Sequence, residues 1–279
     1  MNRQQRILLT RILTAFLLIL LFLRWNEHAT LSGIGSPPLF TVDLDITYWL
    51  YVLSGIPAWL TIHRPVAICF DLLLFATGIL SFFYPLKRQY IIPFSILLAV
   101  YAITFNLYAN HHLAQVIGFM IVLLPCWCAD DLSFYLAWQG MRYFTCLVYT
   151  FAFLWKTVFN NSFYYWQQGT NSFKVNLVEY MTLNPDSLMT SIYQWFLRHD
   201  WLLNTGEKCI ILLEGVMIIG FFTKKYDRFL FWCPVTIHVL TYFFSDVFFI
   251  ELLVLDLSLL SPVALSALSE KIRTAIVPR

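Results

Sequence analysis

Long apolar stretches separated by short polar segments dominate this chain. A helix that crosses a bilayer needs about 20 mostly apolar residues, and eight stretches reach or approach that length. They are residues 7–25, 65–84, 90–108, 112–129, 132–156, 206–222, 228–244 and 247–265. The pattern predicts an all-α fold: a polytopic integral membrane helical bundle of about eight spans, with residues 1–279 forming a single transmembrane domain.

A ninth apolar stretch, residues 47–62, is shorter and contains Gly55 and Pro57. It is interpreted as a thin span, a re-entrant segment or a helix along the interface. If it does not cross and the N-terminus is cytoplasmic, most lysines and arginines outside the spans fall on the cytoplasmic side, as the positive-inside rule expects. We therefore predict a multi-pass protein of the plasma (inner) membrane with both ends inside.

The segment 157–205 is predicted to be a non-cytoplasmic insertion that contains an interfacial helix. Residues 187–198 have the pattern of a short amphipathic helix, for which Asp186 or Ser187 supplies the N-cap. The apolar side chains expected on one face are Leu188, Ile192, Trp195 and Phe196. Such a helix is expected to lie on the outer membrane surface.

Composition agrees with a membrane protein, because 59% of the residues are hydrophobic and only 12% are charged. In soluble domains, about half of the residues are hydrophobic and about a quarter are charged. The net charge of +2 is too small to indicate nucleic-acid binding. Cys126 and Cys128 form a C-x-C pair, but no histidine or second pair with metal-site spacing lies beside them. Packing is therefore favoured over a redox role, and no metal site is predicted.

Ionisable groups inside predicted spans are candidates for function, because a bilayer disfavours them. They are Asp71, His111, His112, Arg142, Lys156, Glu214, His238, Glu251 and Asp256. On the predicted topology, both histidines of the 111–112 pair, Lys156 and His238 fall in or near the outer half of the bilayer. They could converge on one outward-facing cavity, where a desolvated neutral Lys156 amine would act as a base.

Structural interpretations of the same residues stay open. Lys156 could extend to the headgroups from the end of its span. His111 and His112 could be ordinary interfacial residues. Arg142 and Glu214 could neutralise each other across a helix pair.

One run in the predicted fifth span and the segment after it resembles a known family. The run consists of Arg142, then Tyr149-Thr-Phe-Ala152-Phe-Leu-Trp-Lys156, then Trp166 and Gly169. It resembles a stretch of the vitamin K-dependent γ-glutamyl carboxylases and of the HTTM group, bacterial membrane proteins with a similar transmembrane region. Phe153 departs from the family pattern, which has a small residue there.

Further features in the same chain order resemble this group. They are Asn110-His111-His112 at the start of a span, Glu214 before a basic loop, and His238 followed by Phe244-Ser245 and Ser261-Pro262. The likeness extends over residues 7–265.

The resemblance implies a site and its cofactors. Lys156 would be the base that deprotonates reduced vitamin K or menaquinol, His111 its helper, and His238 part of the same chamber. In the carboxylases the hydroquinone reacts with O₂ to give a strong base, which removes a glutamate γ-proton before CO₂ adds. The substrate or cavity lining would include Asn110, His112, Arg142, Trp166 and Glu214.

The favoured function is a vitamin K-dependent carboxylase-like membrane enzyme, quinol-linked, that modifies a peptide or protein at the outer face. Some of the resembled proteins, such as the SdpB-type, take part in maturing secreted toxin peptides with a partner protein. The alternative is therefore a non-enzymatic factor for maturation of, or immunity to, a secreted peptide. A transporter is a third hypothesis, although the spans show no repeated halves.

Overall fold

The structure, a computed structural model, describes residues 1–34, 46–109, 121–245 and 250–261. Most of these residues are helical, and the described part contains no strand. The chain divides into two compact units, Met1–Met141 with Ser261–Arg279 and Arg142–Leu260. The all-α class is confirmed for the described residues, whereas one transmembrane domain over residues 1–279 stays a prediction.

The first unit is built around one long apolar helix, α5. Its helices are α1 (Arg3–Asn26), α2 (Leu31–Ile34), α3 (Ile46–Leu53), α4 (Ile56–Ile62), α5 (Arg64–Phe83), α6 (Arg88–Ala109) and the first part of α7 (Asp131–Leu154). Helix α5 packs against α1, α2, α4 and α6. Gly78 permits this packing, because a Cβ there would lie 2.8 Å from the Leu18 side chain and 2.9 Å from the Phe94 ring.

Three helical segments of the described residues are long and apolar enough to cross a bilayer, by length and composition. They are Arg3–Ile34, Arg64–Phe83 and Arg88–Phe105. Helix α7 is longer than the last two, but Gln139 and Arg142 reduce its hydrophobicity. Membrane-like helical character is therefore supported, while eight spans and their topology stay a prediction.

The short stretch 47–62 is interrupted, as Gly55 and Pro57 suggested. Helices α3 and α4 have 8 and 7 residues, which corresponds to about 12 Å and 10 Å of helix. Between them Gly55 has a φ of +73°, in the left-handed region that glycine adopts at little cost. Neither helix alone could span the roughly 30 Å hydrocarbon core.

Polar contacts fix the start of α7 in the first unit. Asp130 accepts hydrogen bonds from the backbone N–H groups of Ser133 (2.9 Å) and Leu132 (3.0 Å) and from the Ser133 hydroxyl (2.8 Å). The hydrogen bonds from Ser133 hold the pKa of Asp130 below its usual range. Cys126 is buried, 3.5 Å from the Thr10 hydroxyl, and its packing role is consistent with the sequence.

The second unit contains the rest of α7 and six further helices. They are α8 (Gln168–Leu183), α9 (Leu188–Arg198), α10 (Asp200–Val216), α11 (Ile219–Phe222), α12 (Asp227–Ser245) and α13 (Ile250–Asp256). One apolar cluster joins α7, α10 and α12 with the turn after α13. Its fully packed members are Cys146, Tyr149, Ile210, Met217, Leu230, Cys233, Ile237 and Leu259.

The segment 157–205 contains the predicted amphipathic helix and one that was missed. Helix α9 begins after Ser187, whose hydroxyl accepts a hydrogen bond from the Thr190 N–H at 3.0 Å, so Ser187 rather than Asp186 is the N-cap. The stripe Leu188, Ile192 and Trp195 stays exposed. That face would suit an interface, but its position on a membrane stays a prediction.

Helix α8 was not predicted. Its core face follows a helical period, with Phe173 and Leu177 buried and Tyr180 partly buried against Tyr193 of α9 and Leu203 of α10. The spacing i, i+4, i+7 was a usable signal. It was obscured because many polar residues lie between these positions.

Candidate functional site

Three polar side chains lie along one face of α7 and its continuation in the second unit. Arg142, Tyr149 and Lys156 are seven residues apart, about two helical turns or 10 Å at each step. Each side chain meets an acidic residue from a different helix. The second unit therefore contains three separate polar sites rather than one.

The first site is an ion pair between Arg142 and Asp227, the first residue of α12. The guanidinium Nε and Nη2 donate to the two carboxylate oxygens at 2.8 Å and 2.6 Å, and Nη2 also donates to the Thr223 carbonyl at 3.0 Å. The Arg142 side chain is 1% exposed. This bidentate pair fixes the start of α12 to α7.

The hypothesis that Arg142 neutralises Glu214 is therefore wrong. Arg142 pairs with Asp227, while Glu214 pairs with Lys156. Fourteen residues of α7 separate the two basic groups, which corresponds to about 21 Å along a helix. Arg142 is a buried structural residue in this structure, and nothing places it in a cavity lining.

The second site is a hydrogen-bonded cluster of Tyr149, His238 and Asp256. Tyr149 Oη lies 2.8 Å from His238 Nε2 and donates to the Asp256 carboxylate, with oxygens at 3.1 Å and 3.2 Å. His238 Nε2 is also 3.2 Å from Asp256 Oδ2. All three residues are buried. The cluster ties α7, α12 and the end of α13 together through side chains that can exchange a proton.

The third site is the ion pair between Lys156 and Glu214 of α10. Nζ lies 2.6 Å from Oε1, and the Lys156 and Glu214 side chains are 30% and 7% exposed. The second carboxylate oxygen, Oε2, is buried and has no hydrogen-bond partner among the described residues. The Lys156 side chain is thus partly exposed, while Glu214 retains a buried acceptor.

Local backbone structure holds Lys156 in this position. It lies in a single wide turn, Trp155–Phe159, whose hydrogen bonds have π-helical spacing at the end of α7. Such turns inside α-helices occur frequently at functional sites. After the turn, Asn161 has a φ of +55°, and the Lys156 carbonyl accepts a hydrogen bond from the Phe163 N–H at 3.0 Å. The chain therefore folds back over the residue before Trp166.

Lys208 positions this returning loop, which the sequence did not indicate. Its Nζ donates to the carbonyls of Ser162 (3.0 Å) and Tyr165 (2.9 Å). Lys208 and Glu214 both lie on α10, so one helix holds both the loop and the Lys156 amine.

Phe153, which departs from the family pattern, has a specific place in the structure. Its ring packs over Gly215, where an added Cβ would lie 2.9 Å from the ring. In this contact the small residue is therefore Gly215 of α10, next to Glu214, and the large residue is Phe153 of α7.

The remaining predicted site residues are not assembled around Lys156 in the described structure. Asn110, His111 and His112 lie outside the described residues. His238 belongs to the Tyr149 cluster rather than to the Lys156 pair. Trp166 is 55% exposed.

Asp71, a further ionisable candidate, belongs to the first unit. It accepts a hydrogen bond from the Ser32 N–H at 2.9 Å, which gives it a structural role.

A cavity of about 200 Å³ lies among α8, α9, α10 and α12. Its walls are mainly apolar, and of the described residues that line it only Glu207 is ionisable. Lys156 does not line it. The expected quinone-sized chamber around Lys156 is therefore not this cavity.

Close packing of α8 on α10 gives a testable consequence at Gly169. A Cβ there would clash with the Leu203 carbonyl oxygen, so we expect Gly169→Ala to lower the free energy of unfolding by about 1–3 kcal/mol. Unfolding of the full chain in detergent micelles, followed by circular dichroism, measures this. Gly140→Ala is the matched control, because a Cβ at Gly140 meets no atom within 4 Å. An equal effect of the two substitutions would contradict this account.

Comparison of the chain with protein-family models, with curated proteins and with solved structures finds no match. Among the described residues, no group of three or more His, Cys, Asp or Glu side chains could hold a metal ion.

Proposed function

We propose that this chain is a carboxylase-like membrane enzyme in which Lys156 takes a proton from a reduced quinone while a peptide or protein is modified at the outer membrane face. The observation that carries the proposal is the Lys156–Glu214 pair, with Nζ 2.6 Å from Oε1 on a π-helical turn. A partly exposed amine beside a buried carboxylate is suited to general acid–base chemistry.

The pair refines the role expected from the sequence. Lys156 does not lie in a purely apolar setting, because Glu214 contacts it directly. The contact places the Glu214 carboxylate where it would take a proton from Nζ, which would leave the amine free to accept another. The partnerless Oε2 gives the carboxyl a second position for that proton.

The residues around Lys156 fit a flat aromatic partner. Trp155 and Phe159 lie in the same turn as Lys156 and contact each other, with ring centroids 5.9 Å apart, and both residues are more than half exposed. These rings would hold the quinone, and Lys156 would face its hydroxyl. A reduced vitamin K or menaquinol would supply there an acidic hydroxyl and, with O₂, the basicity needed before CO₂ adds. His111 is proposed as a helper on the resemblance alone.

One observation favours a second candidate, the non-enzymatic factor that binds a secreted peptide. Lys156 is already neutralised by Glu214, and such a pair could serve only to join α7 to α10. A binding protein would use the exposed aromatic side chains without using the amine as a base.

Lys156→Ala separates the two candidates. The full chain in membranes, supplied with a reduced quinone, O₂, bicarbonate and a co-expressed secreted peptide, is expected to add the mass of one CO₂ to the peptide. Loss of the base should reduce the rate by about 10²–10⁴-fold, measured by mass spectrometry. Lys174→Ala, at an exposed lysine of α8, should leave the rate unchanged.

A double variant tests whether the loss of activity in Lys156→Ala comes from a loss of folding. Lys156→Met with Glu214→Gln removes both charges, so no buried carboxylate is left unpaired. It should fold normally and remain inactive. Full activity of a folded Lys156 variant would show that Lys156 is not the base, and retained peptide binding without modification by the wild type would favour the second candidate.

A further inference from the structure

The 200 Å³ cavity of the second unit has a chemical character of its own. Its walls include Phe173, Phe196 and Phe244, whose ring centroids are 5.0–6.5 Å from one another. Aromatic rings at these distances present faces and edges that pack well against another ring. The Thr241 side chain adds a hydroxyl to the lining.

The size of the cavity limits what it can hold. An engineered apolar cavity of about 150 Å³ binds benzene, and small-molecule sites usually measure about 300–1,000 Å³. At about 200 Å³, this cavity suits one ring or a fused pair of rings. It is too small for a whole drug-sized ligand.

Gly206 keeps this space open from α10. It lines the cavity, and a Cβ added to it would meet no atom within 4 Å. A glycine in a helix interior is unfavourable relative to alanine, and no close packing explains it here. The absent side chain leaves room beside the three phenylalanines.

The carboxylate of Glu207 gives the cavity one strong hydrogen-bond acceptor. Its side chain lines the cavity and is only partly buried. Among the described residues, none is seen to donate a hydrogen bond to its carboxylate; the neighbouring Lys208 donates to the carbonyls of Ser162 and Tyr165. A carboxylate beside apolar walls gains from an incoming N–H or O–H donor.

We propose that this cavity is a binding site for an aromatic ring that carries an N–H or O–H donor, with the ring against the phenylalanines and the donor on Glu207. The site is separate from the Lys156–Glu214 pair and does not depend on the proposed function. Its occupant is defined by ring size and by the donor.

Indole and indene test both parts of the proposal, because they have nearly the same shape and only indole has an N–H. Binding to the full chain in lipid nanodiscs is measured by saturation-transfer NMR. Wild type should bind indole about three to ten times more tightly than indene, as expected for one hydrogen bond to a charged group that is partly exposed. Glu207→Met should remove that difference and leave indene binding unchanged.

Gly206→Leu fills the cavity and should weaken binding of both probes at least about tenfold, since one tenfold step corresponds to only 1.4 kcal/mol. Gly140→Leu is the matched control, because it adds the same side chain at another helical glycine with open space. It also reports how much probe dissolves in the lipid.

If Gly206→Leu fails to fold, Ser172→Phe fills the cavity from α8 instead and should weaken binding in the same way. Unchanged binding in a folded cavity-filling variant would overturn the proposed site. Equal affinities of wild type for indole and indene would overturn the role of Glu207.

Discussion

Replacing Asp227 with alanine is expected to lower the free energy of unfolding by about 3–5 kcal/mol. The substitution leaves the Arg142 guanidinium, 1% exposed, with only the Thr223 carbonyl as a partner. Removing one member of a buried ion pair has a cost of this size, because the other charge remains buried without compensation. Unfolding of the full chain in mixed micelles with increasing dodecyl sulfate, followed by tryptophan fluorescence, gives the value.

Asp131→Ala is a matched control for this prediction. Asp131 is likewise the first residue of a helix and contacts an arginine, Arg6, at 3.4 Å, but its side chain is 37% exposed. Arg6 is buried but keeps the carbonyls of Cys128 and Ala129 as acceptors, so the loss should be about 0–1 kcal/mol, as for exposed pairs. The double variant Arg142→Met with Asp227→Ala should recover most of the lost stability. Equal losses in the two single variants would contradict the proposed importance of the Arg142–Asp227 pair.

The sequence predicted those helices whose apolar pattern or N-cap residue lies within the helix itself. The apolar runs of α1, α5 and α6 identified them as span candidates, and three such segments are seen. Ser187 was identifiable as an N-cap because its side chain bonds within its own helix. Helix α8 was missed because only its contacts with α9 and α10 distinguish Phe173 and Leu177 from scattered apolar residues.

The sequence indicated which polar residues belong to the candidate sites, but it did not indicate which of them pair with each other. Lys156, Glu214 and His238 were identified because each is a polar group in an apolar run. Their pairing depends on which helix faces pack against each other, and the pattern of apolar and polar residues within one helix does not determine that. Asp227 was overlooked because it follows Lys224 and Lys225 in what reads as a basic surface loop, although it begins α12 against Arg142.

The seven-residue spacing of the polar residues on α7 has a consequence for Lys156. Arg142 fixes α12 and Tyr149 fixes α12 and α13 before the helix reaches its wide last turn. In the described part of the chain, the Lys156 amine is then held by α10 alone. A rigid helix that ends in a less regular turn can present one amine in a defined direction while the turn adjusts to a bound molecule. This arrangement favours a role for Lys156 beyond joining two helices.

Replacing Asp256 with alanine is the second substitution expected to have a large effect, a loss of about 2–4 kcal/mol in the free energy of unfolding. Asp256 is fully buried and is bonded to Tyr149 Oη and His238 Nε2. Hydrogen bonds to a charged group contribute about 1.5–3 kcal/mol each, and the substitution removes those that Asp256 makes with Tyr149 and His238. Asp256→Asn, which retains one carbonyl acceptor, should lose about half as much.

Glu207→Ala is the comparison for Asp256→Ala, since Glu207 is an acid of the same unit for which no hydrogen bond is seen. A substitution there should change stability by no more than about 0.5 kcal/mol. Both variants are unfolded under the same micelle conditions as the Asp227 series. If Asp256→Ala were as mild as Glu207→Ala, the Tyr149–His238–Asp256 cluster would not hold α13 to α7. If the loss is large, the cluster is a structural joint that stabilises the second unit.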